Sequence, residues 1–125
     1  MERIVINTPS ELTAELEHEL YRHRGETMAV FHLTGDNNRL AIEAIWRLRK
    51  IFVPVAVTID MSDPVQAMKS FFDVAMLTPY ITLGDIPEES IAYYGQECYD
   101  RLLEKVRSHA SRNGIQLETD NQKTL

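Results

Sequence analysis

The chain has 125 residues, 44% of them hydrophobic and 26% charged, enough for one globular domain with its own core. Its 19 acidic and 13 basic side chains leave a net charge of −6, so no cationic surplus exists to release the counterions of nucleic acid or to seek an acidic membrane. No run reaches the roughly 18 apolar residues of a bilayer span. Met1 to Asn7 lacks the basic start and long apolar stretch of a secretory signal. The single cysteine, Cys98, allows no internal disulfide and no cysteine-based metal spacing. A cytoplasmic protein is expected, with no metal, no cofactor and no nucleic-acid or membrane partner.

In chain order, Ile4-Val5-Ile6 predicts a short first strand. Thr8, Pro9 and Glu11 then read as a helix start: a capping threonine, a proline at the first helical position and a glutamate closing a capping box. Leu12, Leu16 and Leu20 recur every four residues along one face, and Arg24-Gly25 fits the end of that helix. Thr27 to Leu33 is a second strand, apolar on both faces and so expected to be covered on both. Gly35-Asp36-Asn37-Asn38 breaks it. A helix follows, with Ala41, Ala44, Ile45, Leu48 and Ile51 on one face and Arg39, Arg47, Arg49 and Lys50 largely on the other.

Val53 to Ile59 is the third strand, with Pro54 tolerable only near its start. Asp63-Pro64-Val65-Gln66 opens a helix running through Met68, Phe71 and Phe72 to Ala75 and Met76. Tyr80 to Leu83 is a fourth strand, broken at Gly84-Asp85. From Pro87 or Glu88 a long helix is expected to reach about His109, burying Ile91, Cys98, Leu102 and Val106, with Gly95 as a weak point inside it. Residues 1–117 are thereby assigned to the domain. Residues 118–125, without periodicity, read as a mobile tail. Strands alternating with helices predict an α/β fold with a mostly parallel sheet.

Four stretches of this pattern resemble the crotonase (enoyl-CoA hydratase/isomerase) family, and more distantly the Clp protease subunit that shares its spiral of β-β-α units. Ala29-Val30-Phe31-His32-Leu33-Thr34-Gly35, after the first helix, is similar to the family's valine-rich strand ending in T-G. Leu48 to Val57 resembles its leucine, short link and K/V-P-V-I-A-x-V strand. Ala67 to Met76, with Phe72-Asp73-Val74-Ala75, resembles its A-x-x-C-D-x-x-I-A helix end. Ile81 to Glu88 resembles its A-x-F-G-x-P-E strand and turn. The likeness spans about residues 4 to 95 and implies a crotonase/Clp-like spiral, shortened relative to a full member.

The resemblance also implies where chemistry would sit. Family enzymes hold an acyl-CoA carbonyl between two backbone N–H groups. The first would come from Gly35-Asp36-Asn37-Asn38, where the family's glycine-alanine-aspartate segment is missing and Asp36 is a poor neighbour for an enolate. The second falls at Asp63-Pro64-Val65, with Pro64, which has no N–H, at the donor position; a one-residue slip would pass the role to Val65 or Asp63. Of the two family glutamates one aligns with Ala67 and the other with Glu88. A non-catalytic accessory or assembly protein is therefore expected. It would self-associate through the helix after Glu88, as family trimers do, or dock on a partner enzyme. The competing reading is an acyl-CoA hydratase or lyase using Glu88, with Arg39 or Arg47 on the CoA phosphates.

Other residue types carry weaker signals. His32 reads as a hydrogen-bonded core or edge residue. His18 and His23, five apart, point to different helix faces and cannot share a metal. Ser62 lies near the Clp-like nucleophile position but reads as a helix cap. Met61, Met68, Met76, Phe71 and Phe72 suggest core or an apolar pocket, and Tyr93-Tyr94 an interface.

Overall fold

The computed structural model describes residues 1–119. Five strands, β1 (Glu2–Ile6), β2 (Thr27–Leu33), β3 (Val55–Ile59), β4 (Tyr80–Leu83) and β5 (Gln116–Thr119), pair in chain order β1-β2-β3-β4-β5, every pair parallel. Helices α1 (Ala14–Arg22), α2 (Asn38–Lys50), α3 (Pro64–Val74), α4 (Glu88–Tyr94) and α5 (Gln96–Asn113) fill the four crossovers. The protein is thus α/β with a parallel sheet. Each turn of the chain supplies one strand, so the second strand per unit of a β-β-α spiral is not among the described elements.

Crossovers of one hand between sequential neighbours carry every helix to the same side of the sheet. Register lines up the buried residues Ile6, Phe31, Val57 and Ile81 with the partly buried Leu117 across all five strands. The helices press Leu20, Ile45, Leu48, Phe71, Tyr99 and Val106 onto this face to make one continuous core. Each such side chain contributes roughly 1.5–3 kcal/mol by leaving water. The opposite face bears the row Val5, Val30 and Ala56 beside the polar row His32, Thr58, Thr82 and Glu118. Met28, Val30 and Ala56 form their own small cluster, with no described helix on it. β2, expected to be covered on both faces, is buried on the helix side at Ala29, Phe31 and Leu33 and on the other side at Met28 and Val30, while His32 on that side is exposed.

Three further boundaries differ from expectation. Pro9–Glu11 is only a 3₁₀ turn, Glu11 accepts from the Asn7 N–H, and Thr8 makes no side-chain cap. The first α-helix starts five residues later, where Thr13 Oγ1 accepts from Leu16 N at 3.2 Å. The long helix after Pro87 is two helices broken at Gly95, whose φ of 95° glycine alone adopts readily. The break resets the helical phase, so Tyr99, Leu102, Val106 and Ala110 are buried while Cys98 is exposed. Glu118 and Thr119 lie in β5, held beside β4, and so belong to the sheet rather than to a tail; residues 120–125 lie outside the described residues.

Hydrogen bonds tie the helical layer to the strand ends. Tyr99, fully buried, donates its hydroxyl to the Met61 carbonyl at 2.8 Å, and Ser90 Oγ donates to the Ser62 carbonyl at 2.7 Å. Both clamp the α4–α5 segment onto the loop after β3. Phe52 holds φ 64° just past the end of α2 with its ring 82% exposed, a site where glycine is preferred.

Three measurements check this account. Tyr99→Phe should cost about 1–3 kcal/mol in urea unfolding, since the Met61 carbonyl loses its partner. Burial, first of all, raises the Tyr99 pKa above its ordinary value of 10.0. The folded state then keeps a proton that the unfolded state releases, so stability should fall as pH rises beyond about 10 and fall less steeply in Tyr99→Phe. Phe52→Gly, by relieving the left-handed backbone, should raise stability by about 0.5–1 kcal/mol.

Candidate functional site

Two neighbouring loops at the carboxyl ends of β2 and β3 hold the residues expected to form an oxyanion hole. After β2 the chain turns its N–H groups onto its own side chains: Thr34 N donates to Asn37 Oδ1 and Gly35 N to Asn38 Oδ1, both at 3.0 Å. Asn37 Nδ2 in turn donates to the His32 carbonyl at 2.8 Å. Gly35 has φ 96°, and a Cβ there would lie 2.3 Å from Gln66 Oε1 in the first turn of α3. The two loops therefore touch. The loop that carries Asp36 and Asn37 thus lies against the first turn of α3, which carries Pro64 and Val65.

The second loop offers no free amide at the candidate position. Asp63, not Ser62, caps α3: its Oδ1 accepts from Val65 N at 2.9 Å and from Gln66 N at 3.3 Å. Pro64 follows as the first helical residue and has no N–H. Ser62 N instead donates to Asp60 Oδ1. Around this edge stand Asp36, Asp60, Asp63, Asp85 and Glu88, an acidic setting for any anion.

The remaining candidates do not converge on a reaction centre. Ala67 is a core residue, 1% exposed. Glu88 is exposed in the first turn of α4 and makes no side-chain hydrogen bond or ion pair among the described residues. Arg39 pairs with Glu43 at 3.6 Å, and Arg47 reaches Glu17 at 2.9 Å and the Leu12 carbonyl, tying α2 to the start of α1. His32, expected as a hydrogen-bonded core or edge residue, is neither: it is exposed on the sheet's open face, on the interior strand β2. His23 lies between Glu19 and Glu26. Among the described residues no three metal-ligating side chains cluster.

A residue missed by sequence reasoning anchors the region from beneath. Asn38, 2% exposed, donates to Ser70 Oγ and to Asp73 Oδ2, both at 3.1 Å, while Lys69 holds Asp73 from outside at 3.0 Å. This buried knot links α2 to α3, and its only trace in the sequence is an asparagine at the end of a turn.

A groove of about 1010 Å³ lies elsewhere, along the crease between α3 and α5. Pro64, Val65, Met68 and Phe72 form one wall. Val65 is 71% and Phe72 45% exposed, whereas Phe71 and Met61 are core, and Met76, 89% exposed, lies beyond the groove. The other wall is α5, with Leu102 low and Lys105, His109 and Arg112 along the rim. His109 stacks edgewise on Phe72, ring centres 5.0 Å apart. Tyr94 closes one end, in edge contact with the exposed Tyr93. The sequence held a signal for this site: three basic residues at helical spacing beside the apolar stripe.

Comparison of the chain with protein-family models, with curated proteins and with solved structures gives no significant match.

Gly35→Ala combines a disfavoured φ with a clash against Gln66, so its cost should be at least about 1–3 kcal/mol, read as a fall in Tm and in the urea midpoint.

Proposed function

We propose that this chain is a non-catalytic protein that acts by association, self-assembling or seating on a partner enzyme. We further propose that its likeness to the crotonase family is that of a shortened, degenerate relative. On this view the one-way winding of the sheet is what remains of a β-β-α spiral whose turns have each kept one strand. The observation that carries the proposal is the state of the α3 N-terminus. Pro64 has no N–H, and the next two amides are spent on the Asp63 cap. A thioester carbonyl could draw on neither the Val65 nor the Gln66 amide without displacing a carboxylate from its own helix.

Two observations support it further. Ala67 is buried core where an acid or base would be needed, leaving Glu88 without a mate. The acidic residues at the carboxyl edge of the sheet would repel CoA phosphates at the place where open α/β sheets usually bind ligands.

Acetyl-CoA and a longer acyl-CoA should leave the Tm unchanged, and neither should be turned over. A ligand-induced rise in Tm together with turnover lost in Glu88→Gln would reverse the proposal. Light scattering and pull-down test association itself: an oligomer mass or a retained partner is expected, and a clean monomer at high concentration with no partner counts against it.

A further inference from the structure

We infer that the α3–α5 groove is a docking site for an acidic amphipathic helix of a partner protein. This rests on the association proposed above and names the surface and the partner's chemistry.

The walls are two neighbouring helices of one layer, and a third helix is the shape that fits such a crease. At about 1.5 Å per residue, the 11 residues of α3 and the 18 of α5 run about 16 and 27 Å, room for three or more turns of an incoming helix. The α3 wall presents Val65, Met68 and Phe72 at spacings of three and four, an apolar stripe on the outer side of a helix whose inner side already buries Ala67, Phe71 and Val74. That stripe is more than the core requires. It matches what helix-binding grooves show their ligands, a row of apolar anchors with methionine among them.

Charge selects the partner. The chain as a whole carries −6, yet the rim of α5 facing α3 reads Lys105, His109, Arg112 at spacings of four and three, with no carboxylate in that line. The groove's lining also holds Arg101 and two acids, Glu97, taken up by Arg101 at 2.6 Å, and Glu104, so its cationic side chains still outnumber its carboxylates. Lys105 and Arg112 have no ion pair among the described residues. A cationic line beside an apolar stripe complements a helix with leucine-like anchors on one face and carboxylates along its flank. It repels a basic one.

The test uses the full chain and two labelled peptides of about 16 residues with the same leucine face, one flanked by glutamates and the other by lysines. In fluorescence anisotropy the glutamate peptide should bind and the lysine peptide should not. The double variant Lys105→Glu/Arg112→Glu should weaken the glutamate peptide about tenfold and admit the lysine one. Phe72→Asp should weaken binding while leaving the circular dichroism spectrum unchanged, since its ring lies at the surface. The inference is overturned if the two peptides bind alike, or if neither binds. It is equally overturned if dodecanoate displaces the peptide, which would make the groove an amphiphile site. A groove variant that dissolves a homo-oligomer in light scattering would give the surface to a second copy and overturn it as well. Failure here with acyl-CoA still inert leaves the non-catalytic proposal standing, whereas acyl-CoA turnover removes that proposal whatever the peptides do.

Discussion

The structure depends on one topological constraint: each strand is laid beside the one before it, always parallel and always on the same side. A chain that never reverses its direction of winding has no second layer of helices to offer. Its helices become neighbours in chain order, α3 lying between α2 and α5, and the creases between them run along the outside of the molecule. One sheet face is thereby sealed by a continuous core, and the other keeps only its own small cluster around Val30. The same winding that stabilises the protein leaves surface for others to cover.

Polar anchors then decide how the layer sits. Tyr99 and Ser90 hold the α4–α5 segment to the carbonyls of Met61 and Ser62, and Asn38 joins α2 to α3 through Ser70 and Asp73. Thr78 Oγ1 donates to the Val55 carbonyl, fixing the approach to β4. These are partnered polar groups in an otherwise apolar interior, and no described buried side-chain nitrogen or oxygen is left unsatisfied. Where such a network is complete it favours one arrangement of helices over near alternatives.

The polar edge and the groove differ in chemistry for a common reason. At the carboxyl ends of the strands, short loops must satisfy their own amides, and they do so with Asp and Asn side chains, which makes that edge acidic and inward-bonded. Along the α3–α5 crease the backbone is already satisfied by the helices, so side chains are free to present an apolar stripe and a cationic line. At the first site the Val65 and Gln66 amides are taken up by a local cap; at the second the side chains lie open to solvent.

Much of the architecture was legible because it is local. Alternation and apolar runs marked β2, β3 and β4; the 3.6-residue period marked α2; Asp63-Pro64 marked the start of α3, and the missing amide at Pro64 follows from the residue itself. Thr13 rather than Thr8 as the true cap was not legible, since both carry the same side chain and only packing chooses between them. Nor was the phase shift at Gly95, which moved Cys98 outward and Tyr99 inward once a single φ turned positive. The strand at Gln116–Thr119 is too short and polar to announce itself and exists because β4 offers an edge to pair with. Residue types and their spacing thus determined an α/β chain whose third helix opens on a proline without an N–H. Which face stays bare, and which helices meet to form a groove, depends on contacts between segments far apart in the chain, and only the folded arrangement decided that.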